Sequence, residues 1–375
     1  MTAKKKVLCA IGTRPEAIKM APVILKLREQ EWCELVVLAT AQHRDMLDQV
    51  LSIFNIVPDY DLDIMQKNQA LPELTARLIM SMDQLLIDLE PDLVLAQGDT
   101  TTVMVTAMSC FYKKIPFAHV EAGLRTGDIY YPYPEEMNRV VTGHMTTLHF
   151  APTETSNNNL LKENIDKSSI YVTGNTVIDA LIYTAKNEYD IGIDLDPGKR
   201  MVLLTSHRRE NFGAAMEEAF TAILELAEQN RDIEVLYPVH PNPNVIEVAN
   251  RILGSHDRIH LIEPLAYPQF VQAMKSAYII ISDSGGVQEE APALSKPVLV
   301  LRNETERPEA VDMGVVKLVG TDKEVILHEA NQLLNDEDYY NSVAKGVSPY
   351  GDGHSAERIV NIIKDSFSLG PDNRS

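Results

Sequence analysis

Residues 7 to 27 read VLCAIGTRPEAIKMAPVILKL. The first five are a short apolar run, preceded by lysines and closed by Gly12. Such a run predicts a strand buried on both faces, as in a parallel sheet. Pro15 suits a first helical turn, and residues 15–30 predict a helix with Ile18, Ala21 and Leu25 on one face. Strand, tight turn and helix form the repeating unit of a doubly wound α/β fold. The turn itself, Gly12-Thr13-Arg14-Pro15-Glu16-Ala17, is not G-x-G-x-x-G, so the dinucleotide fingerprint is absent. Arg14 and Lys19 can pair an anion there, Arg14 through two parallel hydrogen bonds. They can equally be solvated basic residues on a capped helix.

The same rhythm extends outward. Apolar runs at 35–39, 93–96, 116–120, 148–151 and 170–173 alternate with amphipathic stretches. It restarts at 201–205 and continues through 234–239, 259–262, 277–281 and 297–301, a second series of five strands. Between the series, residues 190–200 are polar and contain Pro197 and Gly198. A length of 375 residues suggests two domains. The boundary is expected between 168 and 200, and the run 355–369 reads as a closing helix.

Composition narrows the function classes. A net charge of −20 argues against nucleic acid or an acidic membrane surface as partner. Three widely spaced cysteines form no C-x-x-C, so neither a thiolate metal site nor a disulfide framework is indicated. The opening apolar run is too short for a signal peptide and nothing approaches a membrane span, which predicts a cytoplasmic protein.

In open α/β sheets ligands sit beyond the carboxyl ends of the strands, and polar residues cluster at those ends. Gln97-Gly98-Asp99-Thr100 and His119-Val120-Glu121-Ala122-Gly123-Leu124-Arg125 each present a carboxylate. Two carboxylates at neighbouring strand ends can split their pKa values and work as acid and base. Alternatively, Asp99 caps the next helix and Glu121 pairs with Arg125. Pro134 starts a helix whose first turn carries Glu135 and Glu136, where acids also favour the helix dipole. In the second series, one strand ends in Ser206-His207-Arg208-Arg209-Glu210-Asn211 and the next in His240-Pro241-Asn242. A histidine beside two arginines has its cationic form disfavoured by like charge, which suits a neutral group near phosphate.

Residues 281 to 292, ISDSGGVQEEAP, pose a conflict. The turn at Ser284-Gly285-Gly286 offers backbone N–H groups to a diphosphate, yet Asp283, Glu289 and Glu290 repel an anion. A nucleoside diphosphate reconciles the two. The amides take its phosphates, while Glu290, about one turn on, accepts from the ribose hydroxyls. The plain alternative is a helix start with acids placed for the dipole.

Together these residues resemble a known family. Gly12-Thr13-Arg14-Pro15-Glu16, Gln97-Gly98-Asp99-Thr100, Val120-Glu121-Ala122-Gly123-Leu124-Arg125, Pro134-Glu135-Glu136, Asn138-Arg139, His207-Arg208-Arg209-Glu210-Asn211-Phe212 and Asp283-Ser284-Gly285-Gly286-Val287-Gln288-Glu289-Glu290 are similar, in order, to the motifs of the bacterial non-hydrolysing UDP-N-acetylglucosamine 2-epimerases. The resemblance runs from about residue 5 to 358. It implies a GT-B fold, meaning two Rossmann-like doubly wound domains facing an interdomain cleft, usually as a homodimer. The expected domains are 1–168, with the closing helix 355–375 packed back on it, and a UDP-binding domain, 169–354.

The resemblance also implies reversible conversion of UDP-N-acetylglucosamine to UDP-N-acetylmannosamine, supplying cell-surface polysaccharide synthesis. UDP is eliminated to leave 2-acetamidoglucal and then adds back, with no cofactor and no metal. Asp99, Glu121 and Glu135 are the implied acid/base residues, with His207 a further catalytic or leaving-group partner. Arg14, Lys19, Arg139, Arg209, His240 and Arg307 are implied sugar or phosphate contacts. Ser284, Gly285 and Gly286 would hold the diphosphate and Glu290 the ribose, with residues 261–267 near the uracil. Gln42-His43-Arg44 resembles an activating site for UDP-N-acetylglucosamine, although Asp45 and Asn68 depart from the family's usual residues, as does Asn303-Glu304. Rival classes are a hydrolysing epimerase, a retaining GT-B glycosyltransferase and a nucleotide-sugar sensor without chemistry.

Overall fold

The computed structural model describes residues 3–40, 44–64, 70–305 and 307–368. The chain divides into two units, one made of residues 1–180 and 350–375 and the other of residues 181–349. The first unit holds β1 (Lys5–Ile11), β2 (Cys33–Ala39), β3 (Tyr60–Asp61), β4 (Leu93–Gln97), β5 (Phe117–Val120), β6 (Leu148–Ala151) and β7 (Ile170–Val172). These pair in parallel in the order β3-β2-β1-β4-β5-β6-β7. The second holds β8 (Arg200–Thr205), β9 (Ile233–Pro238), β10 (Ile259–Ile262), β11 (Ile279–Ser282), β12 (Val298–Val300) and β13 (Val316–Leu318), ordered β10-β9-β8-β11-β12-β13 and again parallel. Both are Rossmann-like doubly wound sheets, the pair of units that a GT-B fold contains.

The second sheet has six strands where five were expected. β13 was missed because its three residues, Val-Lys-Leu, carry one exposed lysine and too little apolar length to register. The two-residue β3, exposed at the sheet edge, left no periodicity to read.

Every helix-to-strand return puts a strand end on the same edge of its sheet. Strand order reverses between β1 and β4 in the first unit and between β8 and β11 in the second, so these are the topological switch points. The first helix (Arg14–Arg28) buries Ala17, Met20, Ala21, Ile24 and Leu27, while Ile18 and Leu25 sit at the rim. The closing helix (Ser355–Ser368) packs against it. Trp32 meets Phe367 edge-on at 5.9 Å between ring centroids. Leu8, Leu38, Met82, Val94, Val103 and Phe117 pack together on one face of the first sheet. Val202, Phe220, Ile223, Val235, Tyr237 and Ile281 belong to the core of the second. Among the described residues no helix is long and apolar enough to cross a membrane.

Candidate active site

In the first unit, β1 runs out at Gly12 and Thr13, and both N–H groups donate to the Glu16 carboxylate, at 2.5 and 3.3 Å. The Thr13 side chain accepts from the Glu16 N–H in return, closing a capping box. Burial pushes the Glu16 carboxyl up to about 7, against the hydrogen bonds from Gly12, Thr100 and Thr13 that favour its charge. The donors at this strand end are therefore satisfied by their own helix.

At the end of β4, the Gly98 N–H donates to the Val120 carbonyl at 3.1 Å. The Gly98 carbonyl accepts from His119 Nε2 at 2.6 Å. Burial lowers His119 to about 4, so the ring is neutral and its proton sits on the nitrogen facing that carbonyl. Gly98 has φ of +89°, the left-handed region where glycine is at ease. Thr100, not Asp99, caps the following helix (Thr101–Lys113), accepting from the Val103 N–H. Asp99 is thus released from capping, and its side chain is 31% exposed beside Arg139 Nη1 at 3.3 Å. Burial raises the Asp99 carboxyl first, the Glu121 and Glu135 charges add to this, and Arg139 and Lys19 only partly offset it, leaving it at about 6.

Glu121 stands at the end of β5 with φ of +64°. Its Oε1 accepts from Lys19 Nζ at 2.6 Å and Asn175 Nδ2 at 2.9 Å, and its Oε2 accepts from Gln97 Nε2. The alternative pairing with Arg125 does not occur, because Arg125 makes a two-pronged contact with Glu163 at 2.7 and 2.8 Å. The two acids after Pro134 part company. Glu136 turns inward, accepting from the Thr126 and Gly127 N–H groups at 3.0 and 3.1 Å and from Arg139 Nε at 2.6 Å. Burial alone raises its carboxyl, but Arg139 and those N–H groups outweigh that and hold it low. Glu135 stays half-buried at the first turn, contributing to the field at Asp99. Arg139 bridges Glu136 and Asp99, and Asn138 Nδ2 holds the Asp99 carbonyl at 2.9 Å. Arg14 is exposed at the start of the first helix.

In the second unit the conflict at residues 281–292 resolves. The Asp283 carboxylate is fully buried and points under the end of β8, not outward. It accepts from Ser206 Oγ at 3.0 Å and from the His207 and Arg208 N–H groups, each at 2.9 Å. Burial would raise it, but the His207 contact and the backbone donors hold it low. His207 Nδ1 lies 3.1 Å from Asp283 Oδ1, so the ring stands against that carboxylate. The arginines beside it in sequence do not govern its surroundings, since Arg208 turns its Nε to the Asp283 carbonyl at 3.0 Å and Arg209 is exposed. His207 stacks on His240 with 5.5 Å between centroids. His240 is lowered by burial and by His207 next to it, and its Nδ1 accepts from the Asn242 N–H at 3.2 Å.

The helix Gly285–Glu290 opens without a side-chain cap. The Ser284 N–H is already committed to Ser282 Oγ at 2.9 Å, so the Gly285 and Gly286 amides and the Ser284 hydroxyl are what this turn offers a ligand. Arg307 lies across Gly285, where a Cβ would fall 2.6 Å from its guanidinium, and its Nε donates to Glu289 Oε1 at 2.5 Å. Glu289 thus answers an arginine, not an incoming anion. Glu290 accepts from Tyr267 Oη at 3.3 Å, at the end of the 261–267 stretch. Burial and the Glu290 charge push the Tyr267 phenol up.

The model of the family described as UDP-N-acetylglucosamine 2-epimerase matches residues 25–364. The chain belongs to this family. It is 52% identical over 371 residues to a UDP-N-acetylglucosamine 2-epimerase of Escherichia coli O157:H7, covering 96% of this chain and 99% of that one. With the Bacillus subtilis protein of the same name it shares 51% identity over 358 residues, covering 95% and 94%. Among solved structures, the UDP-GlcNAc 2-epimerase of Neisseria meningitidis bound to UDP-GlcNAc superposes with a TM-score of 0.86 at 47% identity, covering 96% of this chain and all of that one.

Asp99, Glu121, Glu135, Lys19 and Arg139 thus gather in the first unit, and His207, His240, Ser284, Gly285, Gly286, Glu290 and Arg307 lie at strand ends and turns of the second. Gln42 and His43 lie outside the described residues, as do the Arg44 and Asp45 side chains and all of Asn68. Reading strand ends missed Asn175 and undervalued Gln97, His119 and Glu16. Asn175 follows β7, so the rule that found Glu121 would have found it had it been applied to the last strand of the sheet.

Proposed function

We propose that this protein interconverts UDP-N-acetylglucosamine and UDP-N-acetylmannosamine without releasing the free sugar. The observation that carries the reading is the pair Asp99 and Glu121, two carboxylates at adjacent strand ends in opposed environments. Asp99 titrates near 6 and can hold or yield a proton at working pH. Glu121 instead accepts from Lys19, Asn175 and Gln97, so its charge is met by three donors.

The C2 proton of the sugar is not next to a carbonyl, so its removal is coupled to departure of UDP from C1. The C2–H electron pair becomes the C1–C2 double bond of 2-acetamidoglucal as the C1–O pair leaves with UDP. Re-addition of UDP to C1 and of a proton to C2 from the opposite face completes the inversion. Asp99, Glu121 and Glu135 supply the acid and base. His207, standing against Asp283, meets the leaving diphosphate. Arg14, Lys19, Arg139, Arg209, His240 and Arg307 meet sugar or phosphate, the Ser284–Gly286 turn the diphosphate, and Glu290 the ribose. The catalyst is a cytoplasmic homodimer, activated by UDP-N-acetylglucosamine at Gln42-His43-Arg44, and needs neither cofactor nor metal.

Proton NMR of the protein with UDP-N-acetylglucosamine alone in deuterium oxide tests this reading. UDP-N-acetylmannosamine carrying deuterium at C2 is expected. Free N-acetylmannosamine with UDP would instead assign the hydrolysing type, and product retaining its original C2 hydrogen would exclude the elimination route.

A further inference from the structure

Asn175 follows β7, and only 3% of it is exposed. Its side chain works in two directions. Oδ1 accepts from the Val177 N–H at 3.1 Å, a local turn at the start of the helix Thr176–Ala185. With the carbonyl end so committed, the other end is the amide NH2, and it donates to Glu121 Oε1 at 2.9 Å. The Asn175 backbone N–H donates to the Tyr350 carbonyl at 2.5 Å. The chain leaves the first unit after Ala180 and returns at Tyr350. One turn on, the Asp179 carboxylate accepts from the Ser355 and Ala356 N–H groups at 3.2 and 2.8 Å, capping the closing helix. Gly174, with φ of +89°, is pressed against Ser355, whose Oγ would stand 2.5 Å from a Cβ there. The two segments by which the chain leaves and re-enters the first unit are therefore clamped together, and Asn175 joins that clamp to Glu121.

We propose that Asn175 is a positioning residue for Glu121, holding its carboxylate in one orientation and tying it to both chain crossings. This deepens the proposed epimerase reading and rests on it. Lys19 shares the same carboxylate oxygen, but an ammonium on four rotatable carbons neutralises charge without fixing direction. The amide of Asn175 is locked by its own turn, so its N–H direction is preset. Gln97 holds the other oxygen, Oε2, and Asp99 after β4 and His119 on β5 also act on Glu121, with Glu135 and Arg139 acting on Asp99 from the helix Glu135–Met145.

Two variants separate positioning from simple support. Asn175→Asp keeps an acceptor for the Val177 N–H but sets a carboxylate oxygen against Glu121. Two carboxylates at that distance share a proton, so the acid limb of kcat should move up by about one pH unit or more. Well below both limbs turnover should fall at least about tenfold, and it should recover as pH rises. Asn175→Ser also keeps a local acceptor but cannot reach Glu121, so kcat should fall roughly three- to tenfold with the acid limb unmoved. UDP affinity by calorimetry should stay within about twofold in both, because uniform binding is untouched. Wild-type kcat and pH profile in both variants would overturn the proposal, as would equal losses with no movement of the limb, or losses matched by UDP affinity. If Asn175→Asp does not fold, Asn175→Ser decides. A fall in kcat at unchanged melting temperature and UDP affinity supports the proposal, and unchanged kcat overturns it. The wild type is assayed beside them with UDP-N-acetylglucosamine alone. Failure of the wild type to form UDP-N-acetylmannosamine would sink the functional reading, whereas an active wild type with indifferent variants sinks only the role of Asn175.

Discussion

The two units carry an aspartate at the same place in the same topology, just past the strand that begins the second half of each sheet, and use it in opposite ways. Asp283, after β11, is buried, which would raise it, and is held low by the His207 side chain and by backbone N–H groups from the end of β8. Asp99, after β4, is part-exposed and pushed up to about 6. The difference originates across the switch point. In the first unit the N–H groups that follow β1, those of Gly12 and Thr13, are taken by Glu16 from their own helix. In the second, the His207 and Arg208 N–H groups that follow β8 donate instead to Asp283. Of these two aspartates, the one left for chemistry is the one whose neighbouring strand end has satisfied its own donors.

Removing Asp283 should have the largest effect. Asp283→Ala leaves the His207 and Arg208 N–H groups and the Ser206 hydroxyl without their buried acceptor, a loss of about 3–4 kcal/mol. Calorimetric unfolding at pH 7 should show it, and a change under about 1 kcal/mol would mean that water replaces the carboxylate easily. Because the Asp283 pKa is depressed, its contribution is present above the unfolded value and lost as pH falls.

Asp99→Asn should leave the fold intact and lower kcat by roughly 10²-fold, the scale of general acid–base catalysis. Near-normal turnover would place the essential proton on another group and dissolve the contrast between the aspartates.

The smallest effect is the most diagnostic. The Asp99 carboxyl has a folded pKa near 6, above its ordinary value, so its neutral form is the one the fold favours. On this group's account, stability is greatest below the unfolded pKa and declines as pH rises through about 6. Asp99→Asn should therefore be more stable than the wild type by about 1–2 kcal/mol at pH 8, after allowance for solvent screening, and nearly equal to it at pH 4. Urea unfolding at the two pH values checks this. A destabilised variant at pH 8 would show that Asp99, like Asp283, serves the fold.

Much of this was legible in the residues. The pattern around 7–27 predicted β1 and its helix, and the eleven apolar runs all fall on observed strands with ends shifted by at most two residues. What escaped notice were elements too short to carry a period, β3 and β13. Strand-end reasoning found Asp99, Glu121 and Asp283 but could not assign their partners. It left Asp99 open as a helix cap, a role that Thr100 fills, and Glu121 open to Arg125, which is taken by Glu163.

By itself, the sequence determined the architecture and the addresses of the polar residues, because strand and helix periods and turn residues act over a few positions. Tertiary structure alone decided what each carboxylate does. Lys19 meets Glu121 across 102 positions and His207 meets Asp283 across 76. The charge state and direction of a carboxylate depend on which donors and charges surround it and how much water reaches it, and only the assembled sheets bring those together.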